Sequence, residues 1–154
     1  MKKLLVLGVG NVLLTDDGVG IHAIRALEHE IEWDRDQVDF LDGGTFTQDI
    51  FYIFQEYKQI LVLDAVKAGK EPGTVYFFTE EHLRENQEQR LSLHDIDMLD
   101  SLKMAELLGN KPKLDVIGME PLTISDWSME LSTPVQKAYP QFLEVVRKKI
   151  REIV

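Results

Sequence analysis

Apolar positions along the chain recur with two periods, and the two alternate. Leu4-Leu5-Val6-Leu7, entered from Lys3 and left at Gly8, is a short continuous apolar run, and so is Ile60-Leu61-Val62-Leu63, which ends at Asp64. Runs of this kind suit strands buried on both faces of a parallel sheet. Val38-Asp39-Phe40-Leu41 and Leu114-Asp115-Val116-Ile117-Gly118 read as two more strands, and Thr74-Val75-Tyr76-Phe77-Phe78 as another. Between them the apolar residues take helical spacing. Val19, Ala23, Ala26, Leu27 and Ile31 predict a first helix, and Phe46, Ile50, Ile53, Phe54 and Tyr57 a second. A third follows His94, with Ile96, Leu99, Leu102 and Leu107 inward and Gly109 as its stop. Thr133-Pro134 opens the last, with Thr as N-cap and Pro in the first turn. Its buried stripe is Val135, Tyr139, Phe142, Val146 and Ile150, and Pro140 should bend it or delay its regular part.

This order predicts one α/β domain spanning residues 1–154, a three-layer α/β/α arrangement with a mostly parallel five-stranded sheet. The connection from Asp64 to Thr74 is shorter than the dozen or so residues of a parallel crossover. The strand at about 74–79 is therefore expected to run antiparallel if it pairs with the strand before it. The charged stretch from Glu80 to Arg90 reads as a solvated loop or short helix.

Composition narrows the function classes. The net charge of −10 and pI of about 4.8 argue against nucleic acid, whose phosphates call for clustered Lys and Arg. The absence of cysteine removes thiolate metal sites and cysteine nucleophiles, so any metal must be held by His, Asp, Glu or backbone oxygen. No stretch has the ~20 apolar residues of a membrane span. The apolar start is broken by Gly8, Gly10 and Asn11, unlike a secretory signal, so a cytoplasmic location is expected.

Ligands of open α/β sheets sit outside the carboxyl ends of the strands. Three strands deliver acid to that edge: Asp16 and Asp17 after the first, Asp42 at the end of the second, Asp64 at the end of the third. Carboxylates gathered this way repel one another unless a cation offsets the repulsion. His94, where the third helix begins, differs from the other histidines: a helix N-terminus disfavours protonated imidazole, and the neutral ring is the metal-binding form, so it could join the acids, while a capping or surface role is open on spacing alone. His22 and His29 fall inside a helix and His82 in the charged segment. A dinucleotide loop is the competing reading of Gly8-Val9-Gly10. It fails at Leu13, where G-x-G-x-x-G/A needs a small residue, and at Asp16-Asp17, which would repel a pyrophosphate.

With these residues in view, the sequence resembles the [NiFe]-hydrogenase maturation endopeptidase family. The resemblance is carried by the segment from Gly8 to Gly20, by Asp42-Gly43-Gly44-Thr45, by Asp64-Ala65 and by Ser92-Leu93-His94. Gly118-Met119-Glu120-Pro121 and Leu131-Ser132 are weaker matches. The resemblance implies a cytosolic protease that removes the C-terminal extension of the hydrogenase large-subunit precursor after nickel insertion. It implies metal contacts at Asp17, Asp64 and His94, with nickel arriving on the substrate and no nucleotide cofactor. Two carboxylates and an imidazole suit Ni²⁺ and would also accept Zn²⁺ or Cd²⁺. Asp17 and Asp42 are the candidate general bases for an attacking water, and Asp42 could equally hold the Gly43-Gly44 turn. The alternatives are a nickel-checking chaperone without hydrolysis, using the same ligands, and a nucleotide-binding α/β enzyme.

Overall fold

The computed structural model describes residues 1–45, 48–85 and 94–154, with the side chains of 48–50, 95 and 96 outside the description. Phe46, Ser92 and Leu93, and the inward placement of Ile50 and Ile96, therefore lie outside the described residues.

Five strands form one sheet in the order β2-β1-β3-β5-β4: β1 Lys2–Gly8, β2 Val38–Asp42, β3 Tyr57–Ala65, β4 Val75–Thr79 and β5 Lys113–Met119. The first three and β5 are mutually parallel where they pair. The apolar runs occupy the middle of the sheet, as continuous hydrophobicity requires of strands covered on both faces. β4 does run antiparallel, but its partner is β5 and not β3. The short connection after β3 steps over the place that β5 fills, so β4 ends up on the sheet's edge.

The helices are α1 Val19–Leu27, α2 Glu80–Glu85, α3 Asp95–Leu107 and α4 Thr133–Ile153. On one face α1 and α4 bury Ala23, Ile24, Phe142, Val146 and Ile150 against Val6, Leu61 and Ile117. On the other face Met98, Leu99 and Leu102 of α3, with Phe54, cover Leu5, Leu7, Val62 and Val116. Each of these side chains larger than Ala23 contributes about 1.5–3 kcal/mol by leaving water.

Several local expectations differ. The second helix is a run of 3₁₀ turns over Gln48–Glu56, and Tyr57 belongs to β3, with its hydroxyl donating to Asp39. Ile53 and Phe54 do pack inward there, but the sheet claims the last position. α1 stops at Leu27, leaving Ile31 fully exposed, and Leu107 is exposed where α3 ends. The N-cap of α4 is Ser132, one residue before Thr133, and Pro140 lies inside a helix that continues through it. Among the described residues, no helix is long and apolar enough to cross a membrane.

Candidate metal centre

The register brings the acidic residues to one level. Gly8 pairs with Asp42 on one side and with Leu63 on the other, so β1 leaves the sheet beside Asp42 and one residue short of Asp64. The glycines of the first loop then permit close approach. A Cβ on Gly20, in the first turn of α1, would collide with the Leu63 carbonyl oxygen. Gly10 has φ +137°, a left-handed value that favours glycine, and a Cβ there would strike the Asp17 carbonyl. The loop therefore folds flat onto the end of β3, and Asp17 descends toward Asp64.

Asp17, Asp64 and His94 meet there. Each offers one ligand atom, these atoms all lie within 4.8 Å of one another, and all three residues are buried. Asp17 is held by its Oδ2, which accepts the Asn11 N–H at 2.8 Å. Asp64 Oδ1 accepts the N–H of Ala65 at 2.8 Å. His94 is the N-cap residue of α3, and its carbonyl accepts the Met98 N–H. Burial holds the His94 pKa below the usual imidazole value, against the opposing pull of the Asp17 and Asp97 carboxylates. Burial thus favours the neutral, metal-binding form of the ring beside the carboxylates. This donor set, two oxygens and one nitrogen in a buried cluster, fits a borderline divalent ion with coordination positions left over for another molecule.

Asp16 and Asp17 are neighbours with different surroundings. Asp16 Oδ2 accepts the N–H of Leu122 at 2.8 Å, the N–H of Thr123 and the Ser132 hydroxyl, while Oδ1 accepts the Ser132 N–H. Asp16 thus ties the first loop to the segment that precedes α4. Asp42 is not a member of the cluster. Its Oδ1 accepts the Gly44 N–H at 2.9 Å, and its Oδ2 lies 3.8 Å from the Arg25 guanidinium at the surface. The turn it holds is fastened to the first loop, because Gly10 donates to the Gly44 carbonyl and Gly43 to that of Gly8.

One buried acid had no role assigned by its sequence context. Glu120 Oε1 accepts the backbone N–H groups of Ala68, Gly69 and Lys70 and the hydroxyl of Tyr76. It shapes the connection from β3 to β4. Burial and the Glu120 carboxylate push the Tyr76 phenol up to about 12. No spacing rule could have found this, since three of its partners are backbone groups 50 to 52 residues away and the fourth is the Tyr76 hydroxyl, 44 residues away. Of the other histidines, His29 is exposed and His82 accepts the Thr79 N–H at its own turn. Burial, with Arg25, lowers the His22 pKa.

Fold and donor set together are those of an α/β protein with a candidate metal centre at its strand ends. The sequence model of the hydrogenase maturation protease family matches residues 21–149. The hydrogenase expression/formation protein HupD of Rhizobium leguminosarum bv. viciae is 32% identical over 151 residues, covering 97% of this chain and 74% of HupD. The hydrogenase 2 maturation protease of Escherichia coli (strain K12) is 30% identical over 152 residues, covering 97% of this chain and 92% of that protein. The solved structure of the hydrogenase maturating endopeptidase HybD from E. coli has a TM-score of 0.86 at 29% identity, covering 97% of this chain and 93% of HybD. The [NiFe] hydrogenase maturation protease HybD from Thermococcus kodakarensis gives 0.76 at 28% identity, over 95% and 97% of the two chains. The chain belongs to the hydrogenase maturation protease family, a family of processing endopeptidases.

Proposed function

We propose that this protein removes the C-terminal extension of a [NiFe]-hydrogenase large-subunit precursor, and that it recognises the precursor through the nickel ion the precursor carries. The observation that supports this most is the buried Asp17, Asp64 and His94 cluster at the strand ends. Three donors leave positions for ligands from the substrate, so the nickel-bearing precursor completes the coordination that the protease begins. A precursor without nickel would leave two carboxylates facing each other unscreened.

For hydrolysis, Asp42 is the better of the two candidate bases. Asp17 would direct one oxygen to nickel while its other already accepts the Asn11 N–H. Asp42 keeps Oδ2 at the surface, within reach of water. It would take the proton from a water that attacks the scissile carbonyl, and pass a proton to the leaving amine as the C–N bond breaks. Nickel on the substrate would fix the geometry of that carbonyl. The expected location is the cytoplasm, with neither nucleic acid nor membrane as a partner.

The test is cleavage of nickel-loaded precursor, followed by mass. Asp17→Asn, Asp64→Asn and His94→Ala should each abolish shortening while leaving the circular dichroism unchanged. Full activity in any of them would remove that residue from the site. Asp42→Asn keeps an oxygen for the Gly44 N–H, so its fold should survive; unimpaired cleavage would exclude Asp42 as the base.

A further inference from the structure

A second surface adjoins the site. Leu13, Leu122, Trp127 and Met129 are 45%, 59%, 77% and 60% exposed. Large apolar side chains left in water on two loops are unusual when those loops are firmly held. These loops are held. Ser128 donates to the Leu13 carbonyl, Thr15 donates to the Ser128 carbonyl, and the Thr15 hydroxyl donates to the Asp126 carbonyl at 2.6 Å. Thr15 adopts φ 51°, a left-handed value rare for threonine, to make this pairing. Leu122 is fixed through its N–H to Asp16. Leu122 and the segment that carries Trp127 and Met129 are thus fastened to positions 13–16, directly before Asp17.

The charge next to it along the chain is acidic. Neither the stretch 4–24 nor the stretch 114–136 contains a Lys or Arg, Asp126 and Glu130 flank Trp127 and Met129, and Arg25, just beyond the first stretch, faces Asp42 at 3.8 Å. The apolar positions are thus flanked by acid along the chain. Their partner should be the reverse: an apolar segment flanked by Lys or Arg. Tryptophan and methionine are enriched in the buried centres of interfaces, and Trp among the residues that dominate their energy. Another exposed apolar group, Met104, Leu107 and Leu108, lies at the far end of α3 from His94.

We propose that the Leu13, Leu122, Trp127 and Met129 surface is where the body of the precursor docks, through an apolar segment flanked by basic residues. The proposal rests on the protease reading above. It adds a recognition element separate from nickel, one that positions the precursor before its metal is engaged.

The experiment measures the affinity of nickel-loaded precursor by calorimetry and its shortening by mass, for the wild type, Trp127→Glu, Trp127→Lys and, as a surface control, Leu107→Glu. Circular dichroism and melting should be unchanged, since both positions face solvent. Affinity should fall about tenfold or more in Trp127→Glu, and further in Trp127→Lys, which adds repulsion toward a basic flank. Leu107→Glu should match the wild type. Unchanged affinity in both Trp127 variants overturns the docking surface, and Trp127→Glu binding as weakly as Trp127→Lys overturns the basic flank. Wild-type binding without shortening, still sensitive to Trp127, overturns the peptidase step while supporting the docking surface.

Discussion

The backbone of Gly20 rests on the carbonyl of Leu63, with no room for a Cβ between them. That contact sets the start of α1 against the end of β3, and so sets Asp17 near Asp64. Gly20→Ala must push the helix off the strand. Overpacking of this kind costs about 1–3 kcal/mol, and here it should also weaken precursor cleavage. Gly44 is the comparison: it has φ +54°, but a Cβ there would meet nothing within 4 Å, so Gly44→Ala carries only the roughly 1–2 kcal/mol of left-handed backbone. Urea unfolding of both variants beside a cleavage assay checks the difference. An unperturbed Gly20→Ala enzyme would contradict the close-packing role.

Asp16 and Asp17 should separate stability from activity. Asp16→Asn disturbs four hydrogen bonds that join the first loop to Leu122, Thr123 and Ser132. Hydrogen bonds to a charged group contribute about 1.5–3 kcal/mol each, and an amide retains some of them. The midpoint of denaturation should therefore fall by the equivalent of about 2–3 kcal/mol. Asp17→Asn should lose cleavage with a much smaller shift in midpoint. The reverse pattern would exchange the roles of the two residues.

Those roles mark what was legible in the sequence. The four parallel strands were readable because short apolar stretches bounded by Gly or Asp have few other uses, and the acidic strand ends followed from them. Asp17, Asp64 and His94 were each nameable, since a carboxylate or imidazole at a strand end or helix start is itself a signal. Their separation was not, because it depends on the Gly20 contact with Leu63 and on a loop folded against Ser128. The partner of β4 was equally hidden: a short connection fixes direction only for adjacent strands, and β5, much later in the chain, takes the intervening place. Tyr57 was misplaced because one residue fits the end of a helical stripe and the start of a strand equally well.

Acid should loosen the β1 to β2 edge. Burial raises the Asp39 pKa, but hydrogen bonds from Lys2 and Tyr57 outweigh it, and the net position lies below the ordinary 3.8. The unfolded chain then binds the proton more readily, so stability rises with pH across this window. The contribution is fully present above about pH 4 and is lost as pH falls through the lowered native value. Asp39→Asn should be less stable at neutral pH and lose less on acidification. Parallel slopes of midpoint against pH for the two proteins would contradict it.

In the proposed mechanism, nickel on the precursor licenses its trimming. The sharpest check is the mass of the large subunit after incubation with this protein, using precursor prepared with and without nickel. A shortened subunit is expected only from nickel-loaded precursor, and none when Asp64→Asn replaces the wild type. Equal shortening of the nickel-free precursor would contradict recognition through nickel.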